Sequence, residues 1–199
     1  MKMDKENVAR LYQNGMITEV GVLNAVTMGW ITADEAAVIV GEDNAVDMSR
    51  VAKLAEISGA CNAAILDGFD IELGGETEHF NLSIEDQSNI ANLFRVVELG
   101  GNAFPYQADG GKCRIYTAQE IAQIYIMAQS TITSQTTYHN SLKAYVQSLT
   151  SAEKISAVVY GMTLPKKYRD EMNEKLAVAQ AQMEAIAGRL SGDVATVLD

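Results

Sequence analysis

Residues 117–149 read TAQEIAQIYIMAQSTITSQTTYHNSLKAYVQSL. Thr117 followed three residues later by Glu120 is a capping box, in which each side chain serves a backbone N–H that a helix start leaves unpaired. Behind it Ile121, Tyr125, Ala128, Ile132, Gln135, His139, Leu142, Val146 and Leu149 recur in steps of four and three. That spacing is a heptad seam along one long helix, 117–149. The middle of the seam is polar at Gln135 and His139, and Ser130–Thr137 is rich in β-branched and hydroxyl residues that helices tolerate poorly. Two readings stand side by side. Either the helix pairs within its own chain and its centre is less buried, or it self-associates, with Gln135 and His139 as polar layers that set register and strand number.

Upstream of this helix the period changes. Phe69, Ile71 and Leu73 alternate with Asp70 and Glu72, Gly74-Gly75 supplies a tight turn, and Glu78, Phe80 and Leu82 continue the alternation. This is a β-hairpin pattern. Before it, Val46–Leu66 is amphipathic through Val51, Leu54, Ala55, Ile57, Ser58, Cys61 and Ile65, and Asp67-Gly68 ends it. After it, Ser83 caps a helix striped by Ile90, Leu93, Phe94 and Val97, which Gly100-Gly101 stops. A loop with Phe104-Pro105-Tyr106 and Gly110-Gly111 then leads into a short strand, Cys113–Tyr116. Beyond Leu149, Ser151 caps a short helix through Val159, Gly161 and Leu164-Pro165 break the chain, and Lys166–Gly188 forms a last helix. Past its end, Val194, Val197 and Leu198 offer an apolar terminus to a partner. The fold class is mainly α with a small β part, α+β.

The first forty residues repeat themselves. Gly15-Met16-Ile17-Thr18-Glu19 returns fourteen residues later as Gly29-Trp30-Ile31-Thr32-Ala33, with a glycine to stop one helix and a threonine to cap the next. Three short helices follow, 5–14, 19–28 and 33–40, with a small core drawn from Leu11, Tyr12, Ile17, Leu23, Val26, Trp30, Ile31 and Ile39. About forty residues is near the lower limit for folding alone, so this segment reads as a module that leans on something else. With a boundary at Gly41-Glu42-Asp43-Asn44, the chain divides into a helical docking module (1–42), an α+β domain (46–165) and a C-terminal helix and tail (166–199).

Composition removes several function classes. The 199 residues carry 26 acids against 15 bases, a net charge of −11, which opposes phosphate backbones and anionic membrane surfaces. All of that excess lies in the first half: residues 1–100 hold 17 acids and 6 bases, residues 101–199 hold 9 of each. The densest stretch, Asp67 to Asp86, has seven acids and no Lys or Arg, and reads as a solvated face, a docking surface for a basic partner or a loose divalent-cation site. No apolar run follows the first residues as a signal peptide would, and the longest uncharged stretch, Ile121 to Leu142, is too polar to span a bilayer. The expectation is a soluble protein made in a cytoplasm, with its two cysteines as free thiols.

A search for chemistry finds no local signature. Cys61 sits on the apolar side of a helix and Cys113 on a short strand, so neither is placed as a nucleophile for His79 or His139. Two cysteines and two histidines lack zinc-ligand spacing, and Asp67-x-x-Asp70-x-Glu72 lacks the loop and closing glutamate of a calcium site. Gly74-Gly75 and Gly110-Gly111 are turns without a phosphate-loop lysine. Spatially paired carboxylates leave no local trace and stay open. The expectation is no enzyme, no cofactor and no metal.

Val8-Ala9-Arg10-Leu11-Tyr12, the doubled Gly-x-Ile-Thr and Ile39-Val40-Gly41 resemble the XkdX family of small phage and prophage proteins, encoded near tail-fibre and baseplate genes. Where members of that family usually stop, this chain continues. Cys61 and Ile65, Gly68-Phe69, Glu78-His79-Phe80, Asp86-Gln87, Asn89 and the stretch from Cys113 into the long helix are similar to a domain of unknown function found at the ends of phage tail-fibre and virion proteins. The resemblance implies a structural virion protein of a phage tail, baseplate or related contractile particle, made in the host bacterial cytoplasm. An assembly chaperone for tail fibres, absent from the mature particle, is the alternative. Implied partners are other tail, baseplate or fibre subunits and further copies of the chain, a trimer by analogy, with no nucleic acid and no membrane span. The expected interface residues are Leu11, Tyr12 and Trp30 on the first module and Ile121, Tyr125, Ile132, Gln135, His139 and Leu142 on the long helix.

Overall fold

The computed structural model describes residues 4–196, with side chains throughout except at 42, 43 and 190–196. It is 67% helical and 10% strand, so the chain is mainly α with a small β part. Two compact units divide it, Met1–Ala60 with His139–Tyr168 and Cys61–Tyr138 with Arg169–Asp199.

The first unit opens with α1 (Lys5–Gln13), α2 (Glu19–Thr27) and α3 (Ala33–Val40). The fourteen-residue repeat governs all three. Asp4, Thr18 and Thr32 stand at the N-caps, while Val8, Val22 and Ala36, one turn in, are buried. Asp4 accepts from the Asn7 N–H at 3.1 Å, and Thr32 makes a complete capping box with Glu35. Thr18 makes no side-chain cap bond. Gly15 and Gly29 adopt φ of 67° and 69°, the left-handed turn that closes a helix in a Schellman motif. The core joins Val8, Val22, Ala25, Ile31, Ala36, Val40 and Ala45. Trp30, expected both in this small core and at an interface, is exposed, whereas Ile31 beside it is buried.

Gly41 alone interrupts the chain, and α4 (Glu42–Leu66) starts at the next residue, with the Asn44 side chain donating to the Val40 carbonyl at 3.1 Å. The unit is completed by the end of α6 (Ala118–Ser148), by α7 (Ala152–Ser156) and by the start of α8 (Lys166–Thr196). Leu142, Val146, Ile155, Val158 and Leu164 are all buried there. Arg50 donates to the Leu149 carbonyl at 3.0 Å and so serves a carbonyl just past the end of α6. Helix α7 stops at Ser156, short of the expected Val159, whereas α8 runs on to Thr196. The Val194, Val197 and Leu198 side chains lie outside those described.

The second unit packs two hairpins against α5 (Ile84–Glu98) and α6. Strands β1 (Phe69–Leu73) and β2 (Glu76–Phe80) pair antiparallel from Phe69↔Phe80 to Leu73↔Glu76. Gly74 and Gly75, both at positive φ, form the two-residue turn that the right-handed strand twist favours. Gly68 is required for a different reason: a Cβ there would lie 1.9 Å from the Phe80 carbonyl oxygen. The expected loop at Phe104-Pro105-Tyr106 is a strand, β3 (Ala103–Tyr106), paired with β4 (Arg114–Thr117). Proline is tolerated because both strands of an isolated hairpin are edges, and its missing N–H can face outward. Phe80 gathers the two hairpins, with ring centroids 5.9 Å from Phe69, 6.2 Å from Tyr106 and 6.3 Å from Tyr116. Leu82, Ile90, Phe94, Phe104, Ile121 and Ile124 complete this core.

Candidate interaction surfaces

The helix-closing turns of the first module decide what it shows to solvent. The Gly15 N–H donates to the Tyr12 carbonyl and the Met16 N–H to the Leu11 carbonyl; Gly29 and Trp30 repeat the pattern on Val26 and Ala25. Met16 and Trp30 therefore occupy the same outward position in successive repeats. Trp30 is 43% exposed and Met16 71%, and Val20, Met28 and Val38 are exposed with them. Leu11 and Tyr12 are half-buried. The Tyr12 hydroxyl donates to Glu19 Oε1 at 3.0 Å, a bond that raises its pKa.

The expected residues of the long helix are placed differently. In the second unit Ile121 is 1% exposed, and Tyr125 stacks on Phe94 with centroids 4.0 Å apart. Ile132 packs against the same core, and the Gln135 carbonyl accepts the Cys61 thiol at 3.6 Å. In the first unit His139 is half-buried and Leu142 is fully buried. Desolvation, with Lys143 adding to it, lowers the His139 pKa and keeps the ring neutral at pH 7. Ile121 and Leu142 are thus covered by the chain itself.

The acidic hairpin carries the densest polar network. Glu78 on β2 accepts from Arg114 Nε at 2.8 Å and from the Tyr116 hydroxyl at 2.7 Å. Arg114 also donates to Glu120 at 3.0 Å and lies 3.6 Å over the Tyr116 ring. Burial and the bond to Glu78 push the Tyr116 phenol up to about 12. At the next residue of β2, His79 Nδ1 lies 2.7 Å from Asp70 and Nε2 lies 3.2 Å from Asn81 Oδ1. The Asp109 N–H donates to the His79 carbonyl, and the Asn81 N–H donates back to the Asp109 carboxylate. These bonds tie the two hairpins together.

Among the described residues, no three His, Cys, Asp or Glu side chains converge as a metal site would require, and no helix is long and apolar enough to cross a membrane. Cys61 is buried and Cys113 exposed. Two features escaped the sequence reading. Arg114 was silent because its partners lie 36 residues back and 6 ahead. Lys53 is buried, and its position four residues before Ile57 and eight before Cys61, on their apolar face, was the available signal.

Residues 48–160 match the family model described as a domain of unknown function (DUF4376), and residues 6–43 match that of a phage uncharacterised protein (Phage_XkdX). No curated protein and no solved structure matches the chain.

Proposed function

The chain belongs to the DUF4376 family, and we propose that this phage protein is a structural part of a tail, baseplate or related contractile particle. It acts by assembling with other proteins near the tail fibres and turns over no substrate. The observation that supports this reading is the exposed apolar edge of the XkdX-matching segment: Met16, Val20, Met28, Trp30 and Val38 all face solvent within a module too small to enclose them. Apolar area removed from water contributes about 25 cal/mol per Å², so a neighbouring subunit that covers this edge is held by it. Several copies assemble in the particle, three by analogy with tail fibres, and because Ile121 and Leu142 are enclosed, outward side chains make the contacts.

Electron microscopy of intact particles, with an antibody or tag label on this chain, tests the placement. Label at the tail tip or baseplate is expected. Label confined to the head, or to material shed before the particle matures, would overturn it, the latter in favour of an assembly chaperone.

A further inference from the structure

A groove of about 510 Å³ lies within the second unit, between α5, α6 and α8. Phe94 and Tyr125, whose rings stack, line it with Ile186, and Arg95, Glu98 and Arg189 join them. Phe94 is buried and Tyr125 and Ile186 are half-buried, whereas the three charged residues are exposed, so an apolar floor carries a charged rim. Among the described residues neither guanidinium has an ion pair or a hydrogen bond, and the Glu98 carboxylate has none either. Two cations against one acid leave the groove positive, in a chain whose net charge is −11. Each guanidinium presents a planar fork that matches one carboxylate. The same unit carries the complement. Glu72, Gly74, Gly75 and Glu76 at the end of the first hairpin are all exposed, and a Cβ at either glycine would meet nothing within 4 Å. Asp70 is engaged by His79, and Glu78 by Arg114 and Tyr116, but the Glu72 and Glu76 carboxylates have no partner among the described residues. Two free carboxylates thus flank a turn that has no side chains of its own, and two free guanidiniums flank an apolar floor.

We infer that this groove receives the 72–76 turn of a second copy of the chain, with Glu72 and Glu76 on the Arg95 and Arg189 guanidiniums and the slim Gly74-Gly75 turn over the Phe94–Tyr125 floor. The inference rests on the assembly reading above and names one partner in it, a further copy. The contact joins two different surfaces, turn to groove, so it closes copies into a ring or extends them into a row. Glu98 keeps a like charge at the rim and holds the affinity down.

Sedimentation velocity of the full chain tests it by exchanging the charges. The unaltered chain associates at low ionic strength and comes apart as added salt screens the contact. Glu72→Arg with Glu76→Arg sets cations against cations, and Arg95→Glu with Arg189→Glu sets acids against acids. Each double variant alone self-associates about tenfold or more weakly. Mixed, the two associate again, because an arginine turn meets a glutamate groove while a native turn meets a native groove. All four positions are exposed, so both variants keep the circular dichroism of the unaltered chain. Glu98→Gln, which removes the like charge from the rim, tightens association about twofold. An unaltered chain that stays monomeric at low salt, a charge reversal without effect, or mixed variants that stay apart would overturn the inference. Particles are the separating control. A chain present in virions whose association ignores these charges sinks the contact and spares the assembly reading, whereas restored association of the mixed variants by a chain missing from virions does the reverse.

Discussion

His79 meets the Asp70 carboxylate at 2.7 Å through one ring nitrogen and the Asn81 side-chain oxygen at 3.2 Å through the other. Two acceptors favour a ring that carries both protons, and the bond to Asp70 raises its pKa above the usual 6.5. The folded state therefore holds the proton more tightly than the unfolded chain. The resulting stability is complete below pH 6.5 and fades as pH rises through the raised value. His139 has the opposite sign: desolvation lowers its pKa, so stability is complete above pH 6.5 and fades as pH falls toward the lowered value. Ring-proton NMR titration should find the two midpoints on either side of 6.5, and Asp70→Asn should bring the His79 midpoint down without moving that of His139. Coincident midpoints would contradict both assignments. The Glu78 network gives a second expectation. Arg114→Gln strips a largely buried carboxylate of its charged partner and should cost about 2 kcal/mol, whereas Tyr116→Phe removes one bond and should cost about 1 kcal/mol, both read from urea unfolding.

The elements follow local signals that can be broken one at a time. Thr32 closes a full capping box and Thr18 makes no cap bond, so Thr32→Ala should destabilise by about 1 kcal/mol and Thr18→Ala by only a few tenths. A Cβ at Gly15 meets nothing within 4 Å, so Gly15→Ala carries only the left-handed backbone cost of about 1 kcal/mol. Gly68→Ala adds a collision with the Phe80 carbonyl and should prevent the first hairpin from closing, visible as loss of the Phe69–Phe80 ring contact by NMR. The same contrast explains what was legible beforehand. Caps at Thr32, Ser83, Thr117 and Ser151, the glycine stops and the Phe69–Leu73 alternation are written in neighbouring residues, and the helices and first hairpin were read from them. Strand β3 was not, because Pro105 is a poor strand signal and its pairing with Ile115 is visible only in three dimensions. The exposure of Trp30 lies beyond the same local signals. Periodicity places an apolar residue on a helix, but the turn geometry after Gly29 decides whether it points in or out.

For the whole molecule, burial redistributes the expected contact surfaces. The long helix carries a seam that the sequence left open to self-association, yet Ile121, Ala128, Leu142 and Val146 are all spent inside the chain's own units. Nothing in a sequence distinguishes a seam covered by its own chain from one covered by another, since the same heptad spacing serves both. The outward apolar residues of the first module remain, and light scattering should detect association above the 21.5 kDa of one chain that Trp30→Ser with Met28→Ser weakens. A uniform monomer at all concentrations would contradict assembly of copies without a partner. The central claim, that this phage protein is a built-in part of the particle, is tested most directly by quantitative mass spectrometry of purified virions. Peptides of this chain in a fixed ratio to known tail proteins are the predicted result, and their absence from clean particles alongside abundance in the infected cell would contradict it.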